Sequence, residues 1–106
     1  MAVVLFVRVE SDLDSDELDR RVEERRPQFL EVPGLLQKIY GRDATGAYCG
    51  IYFFEDREAL AAFRDSALAK TIPSAYEARE IRREVYDVLF PLRPERGLFA
   101  ARWKEG

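Results

Sequence analysis

The chain has 106 residues, 47% of them hydrophobic and 35% charged, with a formal net charge of -3. That length suggests one domain; the composition excludes a disordered chain, and the acidic balance speaks against a nucleic-acid partner. No apolar run approaches the roughly 20 residues of a membrane helix, so no membrane partner is expected.

Histidine is absent and Cys49 is the lone cysteine. This excludes an internal disulfide, a Ser-His or Cys-His nucleophile pair, an HExxH metal site and a histidine base. Neither GxGxxG nor GxxxxGK[ST] occurs. No cofactor is therefore expected, and no tightly held metal, haem or flavin. The start, "MAVVLFVRVE", lacks the basic flank and cleavage site of a signal peptide, which fits a cytoplasmic location.

In chain order, "AVVLFVRV" (2–9) has the length and β-branched content of a strand. It is apolar on both faces except at Arg8. The acid-rich stretch that follows predicts a helix capped by Ser15, with acids at its start and arginines at 20, 21, 25 and 26. Leu18, Val22 and, past Arg25, Phe29 form its apolar stripe. Pro27 predicts a bend or restart, and "EVPG" (31–34) ends it. "LLQKIYGR" (35–42) and "AYCGIYFF" (47–54), joined by "DATG", read as a hairpin. Asp56 is placed to cap a second helix with Leu60, Phe63, Ala67 and Leu68 on its inner face, broken by "TIPSA" (71–75). "YEAREIRREVYDVLF" (76–90) alternates and reads as a long last strand.

The order β-α-β-β-α-β is the ferredoxin-like split unit: residues 1–92 as a single α+β domain with a four-stranded antiparallel sheet, followed by a tail, 93–106. Two helices cover one sheet face. Strands one and three are apolar on both, with Val3, Leu5 and Val7 against Val4 and Phe6, and Cys49, Ile51 and Phe53 against Tyr48, Tyr52 and Phe54. A second copy is the simplest cover for the other face, so a homodimer joined sheet to sheet is expected.

"VPGLLQKIYG" (32–41), "GIYFF" (50–54) and "YDVLFPL" (86–92) occur in the order and spacing of the small monooxygenase family of the dimeric α+β barrel superfamily. That family belongs with the antibiotic-biosynthesis-type, cofactor-independent monooxygenases. The chain resembles it at Pro33, Gly34, Lys38, Gly50, Ile51, Tyr52, Asp87, Val88, Pro91 and Leu92. It departs where Cys49 replaces a frequent glycine and where "RDSALAK" (64–70) lacks a histidine that some relatives carry. The resemblance implies a dimeric α+β barrel holding a small aromatic or polyketide-like molecule between sheet and helices. Oxygen would react with the substrate's own carbanion or phenolate.

Such a site needs an apolar pocket, a cation or donor near the oxyanion, and little water. On this reading Lys38 and Tyr40 are the catalytic candidates, and Arg8, Tyr52 and Trp103 the substrate-binding ones. Leu36, Lys38 and Tyr40 are expected on one strand face, with ammonium and hydroxyl roughly 6–7 Å apart. Plainer roles stand beside these. Lys38 snorkels from the sheet edge or pairs with Glu84; Tyr40, Tyr48 and Tyr52 are core aromatics; Arg8 pairs with an acid across the dimer; Trp103 packs the tail; Cys49 is a small buried hydrophobe. A non-catalytic dimeric small-molecule-binding or stress-associated protein, or a purely structural dimer, is the alternative to an enzyme.

Overall fold

The computed structural model describes residues 1–92; the expected tail, with Trp103, lies outside the described residues. The elements are β1 (Val3–Ser11), α1 (Ser15–Phe29), β2 (Leu35–Arg42), β3 (Tyr48–Phe54), α2 (Arg57–Arg64), α3 (Ala67–Lys70), α4 (Ile72–Ala75) and β4 (Ala78–Asp87). The strands form one antiparallel sheet in the order β2-β3-β1-β4, so the expected βαββαβ arrangement is the observed one. No helix among the described residues is long and apolar enough to cross a membrane.

Pleat periodicity decides what is buried. The odd residues of β1, Val3, Leu5, Val7 and Val9, pair with Phe54, Tyr52, Gly50 and Tyr48 of β3. Except for the side-chain-less Gly50, these join Leu18, Phe29, Leu60, Phe63, Ile72 and Tyr76 in one core cluster beneath the helices. On the opposite face Val4, Phe6, Ile39, Ile51 and Phe53 stay partly exposed.

Four local features depart from expectation. Asp14, not Ser15, caps α1, its carboxylate accepting from the Glu17 amide at 2.9 Å. Both types cap well, and Asp14 holds the extended backbone that a cap needs. Next, α1 runs through Pro27 to Phe29 instead of restarting. The bond that Pro27 cannot make to Glu23 falls in the last turn, and Phe29, buried against Tyr52 and Phe63, holds that turn in place.

The second helix is split at Ser66, whose extended backbone and side chain cap α3. Last, β4 spans ten residues, Ala78–Asp87, and is shorter than the 76–90 expected. Glu77, at φ 44°, occupies the turn before it.

Pro33-Gly34 sets the angle at which β2 begins. Gly34 has φ +77°, and a Cβ there would meet the Ala59 Cβ at 2.5 Å. Its carbonyl accepts from the Glu55 amide at 2.9 Å. Only glycine permits both the left-handed backbone and this approach to α2.

Candidate functional site

The pairing of β2 with β3 determines which residues face the helices. Leu35 lies opposite Phe54, Gln37 opposite Phe53, Lys38 opposite Tyr52 and Tyr40 opposite Gly50, with a register shift between Leu35 and Gln37. Leu36 is the extra residue of this bulge and is 63% exposed. The helix-side face of β2 is therefore Leu35, Lys38 and Tyr40. Leu36 leaves the set expected from simple alternation, because a bulge shifts the phase by one residue.

Lys38 inverts the usual behaviour of its type. Lysine near a surface normally buries its stem and keeps its head in water. Here the residue as a whole is half-buried, while Nζ is buried and has no hydrogen-bond partner among the described residues. The ammonium position lies 3.5 Å from the Phe29 ring centroid, 4.2 Å from Tyr40 and 4.5 Å from Tyr52. Neither snorkelling nor a Glu84 pair describes it, since Glu84 lies across from Phe6 on β4.

Gly50 makes the room. A Cβ there would come within 3.3 Å of Lys38 Cε, 3.1 Å of Tyr52 Cε1 and 3.6 Å of the Tyr48 hydroxyl. The absent side chain is thus the space into which Lys38 folds.

Burial, reinforced by the nearby positive charge of Arg25, pulls the Lys38 pKa from 10.5 down to about 7. The ring faces lend an attraction of about 0.5–2 kcal/mol to the charged form, which is smaller than the cost of drying the charge. Tyr40 is pushed up to about 12, chiefly by burial. Burial also raises Tyr48, Tyr52 and Tyr76, so all remain hydroxyls near neutral pH.

A groove of about 260 Å³ runs between the end of α1 and β2, lined by Phe29 and Leu30 on one side and Leu35, Leu36, Lys38 and Tyr40 on the other, among others. Behind it sit further polar atoms without partners among the described residues: the hydroxyls of Tyr48 and Tyr76 and Arg25 Nε. The guanidinium of Arg25 lies 5.4 Å from the Tyr76 ring and donates to the Leu68 carbonyl at 3.0 Å. Tyr40, Tyr48 and Tyr76 form a run of rings with centroid spacings of 6.1 and 5.5 Å.

The site candidates from the sequence thus separate. Lys38, Tyr40 and Tyr52 come together. Trp103 lies outside the described residues. Arg8 is on the opposite sheet face and is already engaged: its Nε donates to Asp43 at 2.6 Å, it bonds Thr45 at 3.0 Å, and it pairs with Glu10 at 3.1 Å. Asp43 in turn accepts from the amides of Thr45 and Ala47. Arg8 therefore pins the β2–β3 turn to β1 and does not reach the groove. The reason is parity, because even residues of β1 point away from the helices.

Sequence reasoning did not single out Arg25 and Phe29 as site residues. Arg25 carried a signal, being a charge at helical spacing from Phe29 within an apolar stripe.

The sequence profile described as "Putative mono-oxygenase ydhR" matches residues 4–94. No protein of curated function matches. Among solved structures, the "Putative antibiotic biosynthesis monooxygenase from Nitrosomonas europaea" superposes with a TM-score of 0.70 at 17% identity, over 85% of this chain and 92% of that one. SnoaB from Streptomyces nogalater, described as a cofactor-independent oxygenase, gives 0.72 at 14%, over 88% and 98%. Rv0793 from Mycobacterium tuberculosis gives 0.66 at 18%, over 90% and 99%. At these identities the structural likeness establishes the fold, which is the one read from the element order. The family match covers most of the chain and includes Gly34, Lys38, Gly50 and Tyr52; the chain belongs to the ydhR mono-oxygenase family.

Proposed function

We propose that this protein is a cofactor-independent monooxygenase that oxidises a small aromatic or polyketide-like phenol or enol held in the groove between α1 and β2. The observation that carries this reading is the buried, unpartnered Nζ of Lys38 beside that groove. Membership of a mono-oxygenase family and the fold shared with SnoaB support it.

An amine whose pKa is near 7 exists in both forms at neutral pH. The neutral form takes the substrate's O–H proton. The resulting ammonium then faces the phenolate or enolate that it created, in an apolar surrounding where the attraction is strong. Tyr40 and Tyr52 supply ring surface, and Tyr40 lines the groove directly. The electron-rich carbon of the anion reacts with O2; one oxygen atom becomes the new carbonyl and the other leaves as water. For a phenol the balance is phenol plus O2 to quinone plus water, and the substrate supplies all four electrons. No external reductant is required.

The partly exposed apolar sheet face supports a homodimer as the working form. Oxygen uptake with a panel of phenols and enols tests the activity. Uptake that falls at least about tenfold in Lys38→Met, with retained folding, supports the role of Lys38. Binding of the same compounds without uptake would overturn the oxygenase reading and leave a ligand-binding protein.

A further inference from the structure

The chain has three lysines, Lys38, Lys70 and Lys104. Lys70 is exposed at the end of α3. Lys38 is different in kind: its head is dry, and among the described residues its nitrogen has neither a hydrogen-bond partner nor a carboxylate. The α1 charge that acts on it is the cation Arg25, and a second cation of α1, Arg26, lines the same groove. The acids Glu23 and Glu24 of α1 are committed elsewhere, Glu23 to Arg26 at 3.0 Å and Glu24 to Arg20 at 2.8 Å. Among the described residues, the sheet rings that its nitrogen faces are those of Tyr40 and Tyr52.

A nitrogen in this setting is suited to more than holding an anion. We infer that Lys38 is a carbonyl-capturing amine: the groove between α1 and β2 admits an aromatic aldehyde, and Nζ binds it covalently as an imine. Three observations converge on that chemistry. The lone pair of the neutral amine is not engaged by any described donor. The groove is walled by Phe29, Leu35 and Tyr40 and, at about 260 Å³, has room for a single aromatic ring. Lys38 itself lines that groove, and its nitrogen lies 3.5 Å from the Phe29 ring and 4.2 Å from the Tyr40 ring, both of which wall it. Desolvation makes the neutral amine available near pH 7.

In the step itself, the Nζ lone pair forms a bond to the carbonyl carbon and the carbonyl π pair moves to oxygen. That oxygen takes up a proton, giving a carbinolamine. Loss of its hydroxyl together with the remaining nitrogen proton, as water, gives the imine. Amine plus aldehyde equals imine plus water, with no oxidant or reductant. This chemistry goes beyond the oxygenase reading and does not depend on it.

The test uses the wild-type full-length protein under argon near pH 7, with benzaldehyde as probe and cyanoborohydride to reduce any imine to a stable benzylamine. Mass spectrometry of peptides reads each lysine and the N-terminal amine separately. The expected result is labelling of Lys38 about tenfold or more faster than Lys70 in the folded protein, with the difference lost in urea. Labelling of Lys38 no faster than that of Lys70 in the folded protein overturns the inference. Because two lysines of one chain are compared, no variant has to fold. Because oxygen is excluded, a negative result leaves the oxygen-uptake experiment to stand or fall separately.

Discussion

Lys38 concentrates the unusual chemistry of this chain in one atom. A charge kept dry costs folding free energy, and the sign of that cost follows from the two pKa values. The folded value, about 7, lies below the unfolded 10.5. Between them the unfolded chain holds the proton and the folded one does not, so stability rises with pH. In urea titrations from pH 7 to 8.5, wild type should gain up to about 1.4 kcal/mol per pH unit relative to Lys38→Met. The variant should also be more stable than wild type near pH 6, by about 1–4 kcal/mol, since an apolar side chain replaces a desolvated charge. Equal slopes in the two proteins would show that Nζ is not dry. Gly50 provides a second handle. Gly50→Ala places a methyl 3.3 Å from Lys38 Cε, which displaces the lysine head. The alanine protein should fold, lose the gain of stability with pH and lose oxygen uptake together.

At the scale of elements, the sequence was most informative where a single period applied. The odd-even alternation of β1 and β3 separated the two faces of each strand correctly, because nothing interrupts their pairing, but it left open which face meets the helices. It was least informative where one residue changes the phase or the cap. The outward turn of Leu36 depends on the bulge opposite Phe53 and Phe54, a cross-strand property that β2 alone does not reveal. The expected break at Pro27 weighed one lost backbone bond but not the tertiary burial of Phe29. Lys38 and Tyr40 were identifiable as candidates from the motif, whereas the inward fold of the lysine depends on Gly50 across the ladder. The Pro33-Gly34 turn was legible, and it yields a prediction. Gly34→Ala combines φ +77° with a 2.5 Å approach to Ala59, so it should lose about 2 kcal/mol or more in thermal or urea unfolding. A loss below about 0.5 kcal/mol would mean that β2 can enter the sheet by another route.

At the scale of the whole molecule, the decisive property is that, among the described residues, one layer of helices serves a sheet with two apolar faces. Val4, Phe6, Ile39, Ile51 and Phe53 are partly exposed on the uncovered side, and Leu89, Phe90 and Leu92 beyond β4 are each at least 75% exposed. A patch of this kind is characteristic of an association surface. Light scattering at micromolar concentration should give about twice 12.3 kDa. Phe53→Asp should split the dimer, as an unpaired carboxylate is costly in an apolar interface. A wild-type monomer that behaves well would remove the dimer. The groove opens on the other side of the sheet, so a monomeric Phe53→Asp protein also shows whether the Lys38 site is complete within one chain.

The bulge at Leu36 has a consequence for how this strand can change in length. A one-residue deletion in a regular strand turns every later side chain to the other face. Here the surplus residue sits outside the ladder, so removing it joins Leu35 opposite Phe54 directly to Gln37 opposite Phe53. Lys38 and Tyr40 keep their partners and their direction. Deleting Leu36 should therefore preserve the lysine's inward fold, whereas deleting Ile39 should send Tyr40 outward and empty the aromatic enclosure. The chain carries, two residues past the end of its Pro-Gly turn, a position where its length is free to drift while the chemistry stays in phase.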